Sequence, residues 1–211
     1  MVRFVTFEGG DGSGKTTQIR ALERYLTQRG RACLVTREPG DNSLGKPIRQ
    51  ILLEVADHEV AQATELFLYL ADRAQHVAEL ISPAIAAGKI VLCDRFTDST
   101  LAYQGYGRGI DLKLLRQLND LADAGEQPDL TFLLDCPVAV GLARTSRRQS
   151  EVGQPREDRF EREKVEFHEK IRAGFLEMAD AEPARFRIID AAQSVEAVWR
   201  DIQAIVEREN F

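Results

Sequence analysis

Residues 8–17 read Glu-Gly-Gly-Asp-Gly-Ser-Gly-Lys-Thr-Thr, so Gly9 through Thr16 satisfy the spacing G-x-x-x-x-G-K-[ST]. That spacing suits a polyphosphate. Consecutive backbone N–H groups of a glycine-rich loop turn inward onto phosphate oxygens, and the N-terminus of a following helix adds partial positive charge. Lys15 is placed to reach the β- and γ-phosphates, and the Thr16 hydroxyl to sit on Mg²⁺. The same string could be a glycine-rich turn with no ligand. Its context argues for the phosphate loop: Val2–Phe7 before it reads as a strand, and Thr16–Gly30 after it as a helix. Gly9, Gly10, Asp11, Gly12, Ser13, Gly14, Lys15, Thr16 and Thr17 are therefore the expected cradle of a nucleoside triphosphate.

The loop does not say what receives the phosphoryl group. Asp94-Arg95-Phe96 follows the apolar run Ile90–Cys93. A carboxylate there stands beside the loop and can hold Mg²⁺ through water or orient an attacking oxygen. Arg95 offers a forked donor to a phosphate. A salt bridge closing the strand is the alternative. Arg37, in Thr36-Arg37-Glu38-Pro39-Gly40, stands at a second strand end, and Glu38-Pro39-Gly40 reads as a turn. Arg49 alone would pass for a surface helical arginine. Tyr69 and Arg73 lie four apart on a predicted helix and share a face. That pairing suits a base held between a ring and a guanidinium, although a core tyrosine beside a solvated arginine has the same spacing. Residues 147–160 are polar, contain Gly and Pro, and carry Arg147, Arg148, Arg156 and Arg159. They read either as a solvated loop or as a mobile lid that closes arginines over phosphates and excludes water.

These residues need a frame. Strand candidates are Phe4–Phe7, Ala32–Thr36, Ile90–Cys93, Leu130–Asp135 and Phe186–Asp190, all short and apolar as strands covered on both faces should be. Helical stretches alternate with them: Thr16–Gly30, Leu44–Val55, Ala61–Ala87, Leu112–Ala124, Val138–Arg147, Arg159–Ala179 and Val195–Glu209. In the last, Val195, Val198, Trp199, Ile202, Ile205 and Val206 make an apolar stripe, with Ser194 as its cap. Gly30 and Gly88 stand where helices should stop. Alternation of this kind implies an α/β, doubly wound parallel sheet flanked by helices, with ligands at the carboxyl ends of the strands. A length of 211 residues suits one domain over 1–211.

Composition narrows the classes. With 44% apolar and 29% charged residues the chain is globular rather than disordered. No apolar run approaches the ~18 residues of a membrane span. A net charge of −6 argues against broad nucleic-acid binding. Cys33, Cys93 and Cys136 lack the spacing of a zinc site or disulfide and read as buried thiols. With no basic-then-apolar leader at the start, a cytoplasmic setting is expected.

The phosphate loop, Thr36–Gly40, Ala71–Arg73, Asp94–Phe96, Ala102-Tyr103-Gln104-Gly105 and the arginine-rich segment occur in the order found in thymidylate kinases, and the resemblance spans essentially the whole chain. It implies a P-loop NTPase-type five-stranded parallel sheet with an arginine-rich lid. It implies transfer of the γ-phosphoryl of ATP to dTMP with Mg²⁺, and a homodimer. By this resemblance, Asp11 meets the 3′-hydroxyl of dTMP, and Arg37, Arg49 and Arg95 surround its phosphate. Tyr69 takes the place of the stacking aromatic, usually Phe. Arg73 donates to a thymine carbonyl, Thr100 and Gln104 complete the base contacts, and Tyr103 crowds out a 2′-hydroxyl. Asp94 serves Mg²⁺ or the acceptor phosphate, with Thr16 as the other metal ligand. Arg144 stacks on adenine, beside the turn Ala191-Ala192-Gln193.

Family members carry the catalytic arginine either inside the phosphate loop or in the lid. Here Gly10, Asp11, Gly12 and Ser13 leave none in the loop, so the chain resembles the bacterial lid-arginine type, with Arg156 first and Arg148 second as the transition-state contact. Two features depart from the pattern: Asp41-Asn42-Ser43 replaces a typical Gly-Thr, and the lid is somewhat longer. A deoxynucleoside kinase is the nearest rival; it would leave three arginines without a phosphate and would need Glu8 or Asp94 as a base. A guanine-specific switch would carry Asn-Lys-x-Asp, which does not occur in the chain.

Overall fold

Apolar runs on both faces of each strand build a parallel sheet in the order β2-β3-β1-β4-β5, from β1 (Phe4–Glu8), β2 (Cys33–Arg37), β3 (Ile90–Asp94), β4 (Leu130–Asp135) and β5 (Phe186–Asp190). The computed structural model describes residues 2–53, 60–152, 160 and 163–209. The first three strands each run one residue beyond their apolar pattern, onto Glu8, Arg37 and Asp94. Register aligns these ends: Phe7 and Arg37 both pair with Asp94, and Glu8 pairs with Leu133. The three loops that carry candidate site residues therefore leave the sheet side by side.

The helices among the described residues are α1 (Lys15–Gln28), α2 (Gly45–Leu53), α3 (Gln62–His76), α4 (Ser82–Ala86), α5 (Thr97–Thr100), α6 (Leu112–Ala122), α7 (Val138–Val152), α8 (Val165–Ala181) and α9 (Val195–Glu209). Ile19, Leu22 and Leu26 of α1 and Val198, Ile202 and Ile205 of α9 pack on Val5, Phe7, Phe132 and Leu134. On another face, Leu133 and Phe186 meet residues of α3, α6 and α8. Apart from Val195, which is exposed, the stripe expected on α9 is thus a core face, and Ser194 Oγ accepts from Ala197 N at 3.2 Å as its cap. Gly30 and Gly88 end their helices with φ of 74° and 73°.

Four expectations change. The helix expected from Arg159 begins at Val165 as α8, with Phe160, Glu163 and Lys164 outside it. The long helix expected over Ala61–Ala87 contains a π-helical turn, Val77–Ile81, between α3 and α4. The segment Thr97–Gly107, with no helix expected, forms α5 and a second π-helical stretch, Leu101–Gly107. The helix expected to stop at Arg147 continues to Val152, so the first residues assigned to the lid are helical. Arg156 and Arg159, with residues 54–55 of the second expected helix, lie outside the described residues.

Candidate active site

The phosphate loop is closed on itself. The buried Lys15 Nζ donates to the carbonyls of Gly9 and Gly10, both at 3.0 Å, with Ser13 Oγ at 3.4 Å. Gly12 has φ 72°, and a β-carbon there would collide with the carbonyl of Gly141 on α7, so the loop needs glycine for conformation and for room. Gly14 enters α1 with φ 95° and gives it no side-chain cap; Thr17 N already donates to Gly14 O at 3.1 Å, so the N–H groups of Lys15 and Thr16 are those left for an anion. Burial, and then the Arg95 charge, brings the Lys15 ammonium down to about 8 against the pull of Asp94, Asp11 and Glu8. Thr16 Oγ1 donates to Asp94 Oδ2 at 2.7 Å, which joins the loop to the end of β3.

Arg95 is the hinge between this loop and the rest. Its φ is 72°, a conformation costly for a residue with a side chain and held here by its N–H to Phe7 O at 3.0 Å. Its Nη2 donates to Asp11 Oδ1 at 2.7 Å and to the Tyr103 hydroxyl at 3.0 Å, while Nη1 donates to Ser99 Oγ at 3.2 Å. The Tyr103 hydroxyl in turn donates to Asp11 Oδ2 at 3.1 Å. Burial alone would push the Asp11 carboxyl up, but Arg95, Lys15 and the Tyr103 hydroxyl bring it below its ordinary value.

Beneath Arg95 lies Glu8, which the rival reading wanted as a base. Its two oxygens are committed: Oε1 accepts from Phe96 N at 2.7 Å and Oε2 from Ser99 Oγ at 2.6 Å. Burial, aided by the Asp98 charge, pushes its carboxyl from 4.5 to about 7. The folded chain then holds a proton that the unfolded chain has released between those values, so this group's contribution to stability falls as pH rises from 4.5 to 7. Glu8→Gln removes that loss. The difference in Tm between variant and parent should shift in the variant's favour from pH 5 to pH 8, and a difference independent of pH would refute the assignment.

Arg73 is almost wholly enclosed by protein. Its Nε donates to Glu38 Oε2 at 2.8 Å, Nη1 to Thr100 Oγ1 at 2.9 Å and Asn119 Oδ1 at 2.7 Å, and Nη2 to Phe96 O at 3.0 Å. His76 Nδ1 lies 2.8 Å from the other Glu38 oxygen, and its Nε2 2.6 Å from Thr36 Oγ1. Asp72 Oδ1 accepts from Gly40 N and Asn42 Nδ2, which fastens the turn after β2 to α3. Burial and the Glu38 charge push the Asp72 carboxyl up to about 6.

Two cavities result. The smaller, about 110 Å³, is lined by Tyr69, Arg73, Thr100, Tyr103, Gln104 and Phe160, with Asp11, Arg49 and Arg95 at its side. The larger, about 650 Å³, is lined by Lys15, Thr16, Thr17, Arg37, Asp94 and Arg148 along with the same three residues. Arg37 lies only in the larger cleft, its side chain 51% exposed and 3.5 Å from Asp41. Arg144 stands apart, donating to the carbonyls of Ala191, Ala192 and Gln193 at 2.7, 3.3 and 3.4 Å. Sequence reasoning did not single out Glu65, Asp72, His76, Ser99, Asn119 or Phe160. Glu65 and His76 carry a readable signal, lying four before Tyr69 and three after Arg73 on one helix.

A family model described as Thymidylate kinase matches residues 7–202. The chain belongs to the thymidylate kinase family. It is 53% identical over 205 residues to a thymidylate kinase of Desulfovibrio desulfuricans, covering 97% of this chain and 94% of that one. It is 55% identical over 194 residues to a thymidylate kinase of Geobacter sulfurreducens, covering 92% and 91%. A crystal structure of thymidylate kinase from Ehrlichia chaffeensis matches with a TM-score of 0.77 and 34% identity, over 97% of this chain and 98% of that one. The chain is accordingly a nucleoside monophosphate kinase, and the thymidylate kinase reaction is ATP-dependent phosphorylation of dTMP to dTDP. No helix among the described residues is long and apolar enough to cross a membrane.

Proposed function

We propose that ATP occupies the larger cleft and dTMP the smaller cavity, and that the γ-phosphoryl group crosses where they meet. The observation that carries this reading is their shared wall: Asp11, Glu38, Arg49 and Arg95 line both. The base of dTMP lies against Tyr69 and reaches Arg73, Thr100 and Gln104. The sugar meets Asp11 and Tyr103, and the phosphate meets Arg49 and Arg95, with Arg37 approaching from the ATP side. The triphosphate sits on the backbone of residues 9–17 with Lys15 at its β- and γ-phosphates, and Arg144 lies under the adenine.

Thr16 and Asp94 fit Mg²⁺, since both present oxygen, the ligand that this hard cation prefers. Among the described residues no cluster of three or more His, Cys, Asp or Glu side chains could hold a metal. Mg²⁺ would therefore rest on these two residues, phosphate oxygens and water, where it would draw charge from the β- and γ-phosphates. An oxygen of the dTMP phosphate attacks the γ-phosphorus, and the bond to the bridging oxygen of ADP breaks. The acceptor is already ionised, so Glu8 is not required as a base. What the protein must supply is alignment of two polyanions and screening of their repulsion.

The experiment is a coupled ADP-release assay with ATP, Mg²⁺ and a panel of dTMP, dUMP, dCMP and thymidine. The expected result is a strong preference for dTMP, with dUMP slower because the thymine methyl contributes only ~1–3 kcal/mol. Turnover of thymidine but not dTMP would overturn the placement of the phosphate on Arg49 and Arg95.

The assembly proposed is a homodimer. Ile51 on α2, Phe67 on α3 and Leu114 and Leu121 on α6 are exposed apolar side chains, Phe67 at 62%. Helix α2 packs on α3 and α3 on α6, and a second copy would cover such a face. One domain over 1–211 is supported by core clusters that share a single sheet, and a cytoplasmic setting by three free cysteines.

A further inference from the structure

Helix α3 sets Glu65, Tyr69 and Arg73 at i, i+4 and i+8, so all three face the smaller cavity's side of the molecule. Glu65 is only 1% exposed. Its Oε1 accepts from Gln104 Nε2 at 2.8 Å, and its Oε2 lies 3.5 Å from Arg108 Nη2. A carboxylate accepts and cannot donate, so the Gln104 amide must turn its nitrogen toward Glu65. The amide oxygen is then the atom left for the cavity that Gln104 lines.

Arg73 is fixed in the opposite sense. Of its five N–H donors, four are spent on Glu38, Thr100, Asn119 and the Phe96 carbonyl. One N–H on Nη2 remains, and Arg73 lines the same cavity. The cavity edge therefore offers one acceptor, Gln104 Oε1, and one donor, Arg73 Nη2. A pyrimidine-2,4-dione matches both, because its N3–H donates and its O4 accepts. A 4-aminopyrimidine opposes both, because its N3 accepts and its 4-amino group donates.

We propose that Glu65 is a specificity-determining positioning residue: by holding the Gln104 amide in one orientation, it makes the cavity select thymine-type bases over cytosine. This rests on the reading that the base of dTMP lies in this cavity. Arg108 holds Glu65 in place. It donates through Nη1 to Glu163 Oε1 at 2.6 Å, and its guanidinium lies 4.6 Å from the Phe167 ring. An amide at position 65 can donate as readily as it accepts. Gln104 can then turn its nitrogen into the cavity, which meets the N3 of cytosine.

The test compares kcat/KM for dTMP and dCMP in the parent, in Glu65→Gln, in Glu65→Ala and in Gln104→Ala. In either Glu65 variant the dTMP-to-dCMP ratio should fall by about tenfold or more, since the loss comes from a mispaired buried polar group. A merely structural loosening would lower both substrates alike and leave the ratio standing. If Gln104→Ala lowers the ratio but each folded Glu65 variant keeps it within about twofold, the proposal is overturned while the base remains in this cavity. If Gln104→Ala also leaves the ratio unchanged, the base has been misplaced and the proposal falls with it.

Discussion

Replacing Arg95 with alanine should raise KM for dTMP by a factor equivalent to about 2–5 kcal/mol, with a smaller fall in kcat. The size follows from what Arg95 balances. Its guanidinium lies 2.7 Å from the Asp11 carboxylate and donates to Ser99, whose hydroxyl in turn bonds Glu8. Without it, an incoming phosphate dianion meets the Asp11 carboxylate with chiefly the Lys15 charge left to offset it. The loss is thus greater than one hydrogen bond, because a charge-assisted pair is removed and a repulsion is left behind. Backbone strain does not complicate the comparison: the φ of 72° burdens arginine and alanine about equally. Arg95→Lys keeps the charge but loses the fork that spans Asp11, Tyr103 and Ser99, so it should fall between parent and alanine. The measurement is a dTMP titration at saturating ATP, joined to calorimetric binding of dTMP without ATP. If KM stays near the parent value while kcat collapses, Arg95 contacts the transferring group rather than the acceptor.

Contiguity decided how much of this site was legible in the sequence. The phosphate loop is one uninterrupted string, and the structure sets it between β1 and α1 as the sequence predicts. Arg37, Asp94 and Arg95 were legible for a related reason: a charged residue directly after an apolar strand in a parallel sheet must emerge at the ligand edge. The network behind Arg73 was not legible. Glu38, His76, Thr100 and Asn119 come from four segments, and only packing α3 against α6 and the β2 turn brings them together. The spacing of Tyr69 and Arg73 gave a shared face but not the burial of Arg73, which sets how much of its guanidinium a ligand can use. The segment Thr97–Gly107 was missed because threonine, serine and glycine are weak helix formers, and tertiary packing overrides that preference. The end of α7 was missed for the converse reason. Arginine, glutamine and glutamate look like loop by polarity, yet they extend a helix comfortably.

The extension of α7 bears on which arginine meets the transition state. The loop contributes one cation, Lys15, and Arg49 and Arg95 line both cavities, on the wall proposed to hold the acceptor phosphate. Charge on the transferring group must then be screened from the segment that begins on α7. Arg148 stands on that helix and lines the larger cleft; with ATP placed there as proposed, it would meet the triphosphate before and during transfer alike. Such uniform binding lowers KM for ATP more than it raises kcat. Arg156 lies farther along the chain, outside the described residues, and is the arginine proposed to act only in the transition state. Arg156→Ala should therefore lower kcat by roughly 10³–10⁵ with little change in KM for ATP. Arg148→Ala should chiefly raise KM for ATP, with a smaller fall in kcat. Steady-state titrations of both variants, with single-turnover rates to isolate the transfer step, separate the two roles. If kcat collapses in Arg148→Ala and survives in Arg156→Ala, the assignments exchange: the fixed helical arginine would then be the one that stabilises the transferring group.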